Sequence, residues 1–296
     1  YRATLNEAYT ARGLHQIALA ILEGHLSLAE ISDSLAYSCT GCRWCEWDCS
    51  LNRLRYIQEH GNRLNRVSGA TVAEIIRAMK VESGSVPPIV RDVLNNIVKF
   101  GNPYGVDKIR KDKWVEELNL KPAGQETALY VGALVPFESR ATSAANALIE
   151  ILKRGGVNFC MLGSSELESG AFARSFGEEG LFMDLVERNL KVFKESKIKE
   201  IICLSPHDYD TFKNYYELGE IEVKHYTQVL WELIEAGKIE PTKEIKKRIT
   251  YHDPCYLGRY NGVYEEPREA VSSLPGVELV EMGRNRNKSF CCGGGG

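Results

Sequence analysis

Apolar residues in the first hundred positions recur at the spacing of a helix. They predict a helix from Ala11 to Gly24, with the glycine as its C-terminal cap. The stripe that indicates this helix consists of Leu14, Ile17, Ala18, Ile21 and Leu22. Further helices are predicted through Leu35 to Cys39 and over the segments Leu54–Ile57, Val72–Met79 and Val90–Val98. Pro87 and Pro88 separate the last two of these segments.

The pattern changes beyond residue 127, where short apolar runs alternate with amphipathic segments. Strands are predicted at Ala128–Ala133, Val157–Leu162 and Glu200–Leu204. Helices are predicted at Ala144–Arg154, Leu181–Lys194 and Thr227–Ala236, the last after a segment from Glu220 to Tyr226. Strands that alternate with helices indicate parallel βαβ units.

The segment before these units is predicted to be a linker. It joins the turn-rich stretch Phe100–Gly105 to a charged run that ends at Gln125. Its basic residues are Lys108, Arg110, Lys111 and Lys113. They are interpreted as a solvated face, with the docking of an acidic partner as the less favoured alternative.

Composition narrows the class of protein. A chain of 296 residues with 44% hydrophobic residues fits about two globular domains. A net charge of -3 lacks the basic footprint of nucleic-acid binding. No apolar run is long enough to span a bilayer, and the first residues do not resemble a signal peptide. Nine cysteines without a secretion signal indicate metal ligands in a reducing compartment rather than a disulfide framework.

Four cysteines lie close together in the N-terminal half. Cys39, Cys42, Cys45 and Cys49 follow the C-x2-C-x2-C-x3-C spacing of bacterial ferredoxins, which predicts a 4Fe–4S cubane cluster. They are too crowded for the two separated pairs of a structural zinc site. Ser50 stands where the ferredoxin run usually has proline. Three assignments stay open: one cluster on all four thiolates, one with a non-cysteine fourth ligand, or Cys49 serving a second cluster.

A second group of cysteines lies near the end of the sequence. Cys255 follows His252-Asp253-Pro254, and the adjacent pair Cys291-Cys292 precedes four glycines. Neighbouring side chains of an extended chain point to opposite faces, so both thiols can face one metal only at a sharp turn. Glycine permits such a turn, and thiolates are soft ligands that suit iron.

These motifs resemble the CCG-domain family, which includes the catalytic subunits of heterodisulfide reductase. The run from His252 to Gly262 looks like the first half of the family motif, and Ser289 to Gly293 like its middle. The resemblance implies a noncubane 4Fe–4S cluster held by Cys255, Cys291 and Cys292, which would be the catalytic centre. The closing Cys-x-x-Cys of the family would fall beyond Gly296. Residues 1 to 50 resemble the segment between the two ferredoxin runs of the C-type and D-type subunits, so we expect the sequence to be cut at both ends.

An earlier copy of the motif is expected to have lost its ligands. When Val131-Gly132-Ala133 is aligned with Asp253-Pro254-Cys255, non-cysteine residues occupy every expected cysteine position. These residues are Ala133, Glu168, Ser169, Ser205 and Asp208. None is a soft thiolate, so no cluster is expected there. Cys160 and Cys203 are interpreted as small buried hydrophobic residues, and His207-Asp208 as a surface loop pair rather than a proton relay.

The resemblance implies a chain of mixed α+β and α/β class. A helical ferredoxin-type domain (1–105) and a linker (106–126) precede a degenerate CCG module (127–245) and the start of a second one (246–296). The implied function is electron transfer in a heterodisulfide reductase-like complex, between one or two cubane clusters and the noncubane cluster. The alternatives are a disulfide or trisulfide reductase and a cluster-poor structural subunit. Expected partners are a flavoprotein or a membrane cytochrome or quinone-linked subunit, with no nucleic acid. The expected location is the cytoplasm, or the membrane surface through a partner or a missing segment.

Overall fold

The N-terminal part of the molecule is helical, as the periodicity predicts. The computed structural model describes residues 4–50, 67–120, 124–135 and 137–294. The predicted helix near Leu54–Ile57 lies outside these residues. The helices of this part are α1 (Ala11–Leu22), α2 (Asp33–Ala36), α3 (Trp44–Asp48), α4 (Gly69–Glu82), α5 (Pro88–Phe100) and α6 (Ile109–Glu117). Pro88 begins α5, where the missing amide hydrogen of proline costs nothing.

Helix α4 ties the first helices to the rest of the molecule through two buried cations. The Lys80 ammonium donates to the Ile31 carbonyl at 2.8 Å and lies 3.0 Å from an Asp33 carboxylate oxygen. The guanidinium of Arg77, which is 2% exposed, donates to three backbone carbonyls. They belong to Ala36, Cys39 and Ser175. Because these N–H groups find acceptors, burial of the two charges is compensated.

Three parallel strands form the centre of the second part, in the order β1 (Thr127–Tyr130), β2 (Glu200–Cys203), β3 (Glu222–His225). The prediction of a strand at Val157–Leu162 is wrong in extent, because only Cys160 pairs there, in a parallel bridge to Ala128 on the outer side of β1. The helices around the sheet are α7 (Ser139–Arg154), α8 (Ala171–Ser175), α9 (Glu179–Glu195), α10 (Pro206–Tyr215) and α11 (Tyr226–Glu235).

The alternation of side chains along β1 divides the interior into two cores. Ala128 and Tyr130 pack on one face with α5, α9 and α10. Leu129 and Val131 pack on the other face with α6, α7 and α11. Successive residues of a strand point to opposite faces, so a continuous apolar run is what a sheet covered on both sides requires. Cys160 and Cys203 are fully buried in the first core, which confirms their interpretation as hydrophobic residues.

The predicted linker contains α6, and one of its basic residues is not solvated. Lys111 is 3% exposed and its ammonium lies 2.9 Å from the buried carboxylate of Glu166. The interpretation of the basic run as a solvated face is therefore wrong for Lys111. It holds for Lys108, Arg110 and Lys113, which are exposed. Trp114 and Val115 of the same helix are buried against β1 and α7.

A smaller parallel pair opens the last part of the molecule. Strand β4 (Lys247–Ile249) pairs with β5 (Val277–Leu279), and α12 (Gly258–Asn261) and α13 (Glu265–Ser272) lie between them in the sequence. Arg248 lies opposite Glu278, and their exposed side chains form an ion pair at 3.4 Å. Within the described part of the chain, no helix is long and apolar enough to cross a bilayer.

Candidate iron–sulfur site

Three cysteine side chains from distant parts of the sequence meet at one place. Cys42 comes from the loop before α3, Cys255 from the segment between β4 and α12, and Cys291 from the segment after β5. Hydrogen bonds from Cys255 and Cys42 lower the pKa of Cys291 well below its ordinary value. The same hydrogen bonds raise the pKa values of Cys42 and Cys255. These hydrogen bonds favour the thiolate form of Cys291, and the thiolate is the form that binds metal.

Asp253 joins the two halves of the second cysteine motif. Its carboxylate accepts two hydrogen bonds from Arg268, at 2.7 and 2.8 Å, and both side chains are almost fully buried. It also accepts from the backbone amide of Arg286 at 2.6 Å. The Ser289 hydroxyl donates to the Asp253 carbonyl at 3.0 Å. The His-Asp-Pro-Cys sequence therefore sets the position of the chain that leads into Cys291.

Two side chains of α12 hold the ferredoxin-like loop against this motif. The Arg259 guanidinium donates from Nε to the Cys42 carbonyl at 2.7 Å, and the Tyr260 hydroxyl donates to the Gly41 carbonyl at 2.5 Å. Gly41 has φ +65°, and a Cβ there would lie 2.9 Å from the Tyr256 hydroxyl oxygen. Glycine is needed at this position both for its backbone conformation and for the close approach.

Arg259 also carries the clearest sign of a missing anionic group. It is 6% exposed, and its Nη1 donates to the Ser289 carbonyl at 2.6 Å and to the Ser289 hydroxyl at 3.1 Å. Its Nη2 is buried without a hydrogen-bond partner among the described residues. A buried cationic N–H without an acceptor is costly. Its positive charge also acts on the thiols of Cys42 and Cys255, opposing the rise in their pKa values.

These residues fit an anionic iron–sulfur cluster. The site offers two sulfurs of the second motif, with Cys42 of the ferredoxin-type run beside them, and one unsatisfied cationic donor. Hydrogen bonds to cluster sulfurs are a usual feature of such sites. Among the described residues, no group of three or more His, Cys, Asp or Glu has the geometry for a single metal ion.

The other predicted ligands lie around this group. Cys39 has a pKa raised by burial, and the Cys45 thiol, close enough to act on it electrostatically, contributes to the rise. Cys49 is half-buried at the end of α3. Cys292 is exposed, and its sulfur accepts from the Gly294 amide at 3.4 Å. The sequence groups Cys42 with Cys39 and Cys45, whereas the structure places its thiol against Cys291.

The positions expected to have lost their cysteines also converge. They surround the ends of β1 and β2, where the Ser169 hydroxyl donates to the Asp208 carboxylate at 2.5 Å. The Glu168 carboxylate accepts from the Gly170 amide at 2.7 Å, and the Ser205 hydroxyl oxygen accepts from the Asp208 amide at 3.5 Å. Burial raises the pKa of Glu168 to about 7 and that of Asp208 to about 7. A network of hard oxygen atoms therefore occupies the place of the expected cysteines.

The interpretation of His207-Asp208 as a surface loop pair is wrong. Both residues belong to the first turn of α10, and Asp208 is only 6% exposed. The His207 ring packs against Tyr256 at an interplanar angle of 39°, with 4.2 Å between ring centroids. Burial lowers the pKa of His207 to about 4, so its imidazole is neutral at pH 7. The residues are buried because β2 ends here and α10 starts beneath the second cysteine motif.

Sequence reasoning missed the buried pair of Glu166 and Lys111. The Glu166 carboxylate also accepts from the amides of Val131 and Gly132, at 3.1 and 2.9 Å, so it fixes the loop that follows β1. A polar residue in a stretch of mixed polarity gives no periodic signal. Only the approach of α6 to this loop shows that both charges are buried.

The chain is similar in sequence to known iron–sulfur proteins. The family model of the cysteine-rich domain, CCG, matches residues 249–296. The "Probable iron-sulfur-binding oxidoreductase FadF" of Bacillus subtilis (strain 168) is 34% identical over 95% of this chain and 40% of that protein. The EtfAB:quinone oxidoreductase of Syntrophomonas wolfei is 33% identical over 93% of this chain and 38% of that protein.

A methanogen protein is also similar. The D-type subunit of dihydromethanophenazine:CoB--CoM heterodisulfide reductase from Methanosarcina barkeri (strain Fusaro) is 28% identical over 91% of this chain and 64% of that protein. The chain thus spans about two fifths of the length of the first two relatives. No solved structure matches it.

Proposed function

Because this chain belongs to the CCG-domain iron–sulfur oxidoreductases that resemble the D-type subunit of heterodisulfide reductase, we propose that it is the electron-transfer part of such a complex. Its similarity to these relatives identifies it as an iron–sulfur redox protein. The finer proposal is that electrons pass between a ferredoxin-type 4Fe–4S cluster and a noncubane cluster at the second cysteine motif.

The main support for this proposal is that the Cys291 side chain contacts both Cys42 and Cys255. Cys42 belongs to the ferredoxin-type run, and the other two belong to the cysteine-rich motif. Electron transfer between two centres requires a short path through the protein. A ligand of one motif that touches a ligand of the other supplies that path without an intervening side chain.

We assign the ligands as the motifs group them. Cys39, Cys42, Cys45 and Cys49 would hold the ferredoxin-type cluster, and Cys255, Cys291 and Cys292 the noncubane one. When bound, such clusters take up and release single electrons. Residues of this chain hold and shield them: Arg259 neutralises negative charge, and Arg77 fixes the backbone at Cys39 by donating to its carbonyl. Both effects tune a cluster's potential.

The relatives suggest partners on both sides of this path. One of them is named an EtfAB:quinone oxidoreductase and another a membrane-anchored ferredoxin. We propose a flavoprotein as one partner and a membrane quinone- or cytochrome-linked subunit as the other. The chain would then work at the membrane surface through that subunit. The core, with helices on both faces of its sheet, offers the rigid support that such an arrangement needs.

The decisive experiment is iron and sulfide analysis of the intact protein, together with electron paramagnetic resonance of its reduced form. We expect two distinguishable signals, one for each cysteine motif. A paramagnetic signal that appears only when a thiol substrate is added would instead favour a disulfide reductase. Protein that contains no iron after anaerobic purification would overturn the proposal and leave a structural role.

A further inference from the structure

A cavity of about 500 Å³ lies at the carboxyl ends of β1 and β2. Cys160 pairs on one side of β1 and β2 pairs on the other, so the chain connections leave in opposite directions at this point. Such a switch point is where ligands bind in open α/β sheets. The volume falls within the range of small-molecule sites. The chemistry of the lining then decides which kind of ligand the cavity can hold.

Asp208 is the one carboxyl group of the described lining, in which no residue is lysine or arginine. Its side chain is almost fully buried, at 6% exposure. One carboxylate oxygen accepts from the Ser169 hydroxyl at 2.5 Å. The other, Oδ2, lies beside Gly132, where a Cβ would be only 2.5 Å away, and no described residue donates a hydrogen bond to it. A buried carboxylate oxygen without a donor is costly, so Oδ2 is a free acceptor for a ligand.

The groups around Asp208 leave a deficit of positive charge. The Lys111 ammonium acts on Asp208, but it forms its ion pair with Glu166 at 2.9 Å. Glu168 is a third buried carboxyl, and the charge of Asp208 raises its pKa further after burial. Burial lowers the pKa of His207 to about 4, so this imidazole of the lining supplies no positive charge at pH 7. Three carboxyls of this described network therefore share one ammonium, and a cation in the cavity would favour the ionised form of Asp208.

The rest of the wall is mostly apolar and aromatic. Four aromatic rings line the cavity, those of Tyr104, Phe172, Phe176 and Tyr226. The faces of such rings carry negative partial charge, so they attract a cation as well as packing against a flat apolar body. An anionic ligand would lose its hydration without gaining a countercharge. The aromatic wall and Asp208 therefore select the same ligand, one with an apolar body and a positive charge.

We propose that this cavity binds a protonated organic amine, with its ammonium group at Asp208 and its apolar body against the aromatic rings. The ammonium donates to Oδ2 of Asp208, and this charge-assisted hydrogen bond replaces hydration that the ligand loses. A bare metal ion does not suit the place, because the described residues offer no group of three or more His, Cys, Asp or Glu side chains to hold one. The binding requires no electron transfer, so it is independent of the function proposed above.

The test measures the binding of three compounds with the same indole ring to the intact, oxidised protein by titration calorimetry at pH 8. Tryptamine carries an ammonium group, tryptophol a neutral hydroxyl in its place, and indolepropionate a carboxylate. We expect tryptamine to bind about tenfold more tightly than tryptophol, since its charge-assisted hydrogen bond is worth about 1.4 kcal/mol or more. Indolepropionate should bind about tenfold more weakly than tryptophol, because its charge meets no cation in the lining.

A first pair of variants tests the role of the Asp208 carboxylate. Asp208→Asn removes the charge that selects the amine, so tryptamine and tryptophol should bind this variant with nearly equal affinity. Asp184→Asn is the control, because Asp184 is an exposed carboxylate on α9 that forms an ion pair with Arg188. The control should keep the preference for tryptamine.

A second pair of variants ties the binding to this cavity. Ala144 and Ala147 are both exposed on α7, but only Ala144 lines the cavity. Ala144→Phe should weaken tryptamine binding about tenfold by filling the space, while Ala147→Phe should leave it unchanged. Circular dichroism checks that all four variants fold.

Three results would overturn the proposal. They are equal binding of tryptamine and tryptophol to the parent protein, equal affinity of the Ala144→Phe and Ala147→Phe variants for tryptamine, and no binding of tryptamine at all. Because the measurement uses no reductant, these results are separate from the iron analysis and the paramagnetic signals that test the proposed function. Amine binding by a protein that fails those tests would leave this site in place.

Discussion

Two units of this molecule each bring polar side chains together, but the groups that meet differ: oxygen atoms in the first unit and sulfur atoms in the second. The first unit (residues 127–225) has a parallel sheet, and its loop residues Glu168 and Ser169 are hydrogen-bonded to each other and, through Ser169, to Asp208 in α10. The second unit (residues 247–294) opens with a parallel strand pair and carries Cys255 and Cys291. In both units the residues after the strands converge. The groups that converge differ: oxygen side chains in the first unit and sulfur side chains in the second.

The difference extends to protonation. In the first unit, burial raises the carboxyl pKa values to about 7, so the proton stays bound well above its usual range. In the second unit, hydrogen bonds from neighbouring thiols lower the pKa of Cys291, which favours its thiolate form. The first unit can hold a proton near neutral pH, while the second presents a metal ligand.

Loss of a whole cluster is the strongest outcome that we expect from a single substitution. Cys291→Ser replaces the sulfur that both Cys42 and Cys255 contact, so the signal of the second motif should disappear while the ferredoxin-type signal remains. Iron analysis and electron paramagnetic resonance measure this. Glu168→Gln, at the aligned position of the first unit, is the control and should keep all iron. Loss of both signals in Cys291→Ser would show that the two sites are not independent.

A second comparison uses two buried arginines. Arg259 binds carbonyls of Cys42 and Ser289, and Arg77 binds carbonyls of Ala36 and Cys39. Substitution of either by methionine should lower the free energy of unfolding by about 3 kcal/mol, because several carbonyls lose a charged donor. Only Arg259→Met should also shift the reduction potential of the second-motif cluster, since the charge of Arg259 acts on the Cys255 thiol.

Potentiometric titration followed by electron paramagnetic resonance distinguishes the two variants. Arg259→Lys keeps the charge and should keep part of the wild-type potential, although it loses the forked geometry. An unchanged potential in Arg259→Met would remove Arg259 from the candidate site.

A third prediction concerns pH and the first unit alone. The pKa of Asp208 is raised from 3.8 to about 7 in the folded protein, so the unfolded chain releases this proton at lower pH. The stability of the folded state therefore falls as the pH rises from about 4 to about 7, and this loss is complete above that range. Asp208→Asn removes the titrating group, so its stability advantage over the parent should grow by about 3 kcal/mol from pH 5 to pH 8.

Thermal unfolding midpoints at pH 5 and pH 8 measure this gain. Asp184→Asn is a suitable control, because Asp184 is exposed and forms an ion pair with Arg188 one turn away. Its midpoint should follow that of the parent at both pH values. A parallel response of Asp208→Asn and the parent would mean that Asp208 is ionised throughout.

The mildest of these changes tests the contact between the second unit and the ferredoxin-like loop. Tyr260→Phe removes the hydroxyl that donates to the Gly41 carbonyl and should cost about 1 kcal/mol. Chemical denaturation at fixed pH measures it. Tyr9→Phe, which loses an exposed contact to Ser34, should cost less and serves as the control.

Local pattern was enough to predict much of the scaffold. The helical stripe of α1, the apolar runs of β1 and β2, and the helix α9 are visible in the sequence because each depends on periodicity within one element. The cysteine motifs are equally local, since their spacing alone indicates iron–sulfur ligation. The boundaries shifted where caps and turns decided them, as at α7, which begins at Ser139 rather than Ala144.

Residue types and their spacing alone determine which chemical groups this chain contains. They are nine cysteines, two thiol motifs, and a stretch with oxygen side chains at the positions aligned with the second motif. Packing in three dimensions brings Cys42 to Cys291, buries Lys111 against Glu166 and turns Asp208 toward a cavity. These contacts join residues far apart in the chain. They depend on how helices and strands pack, and no short-range pattern encodes such packing.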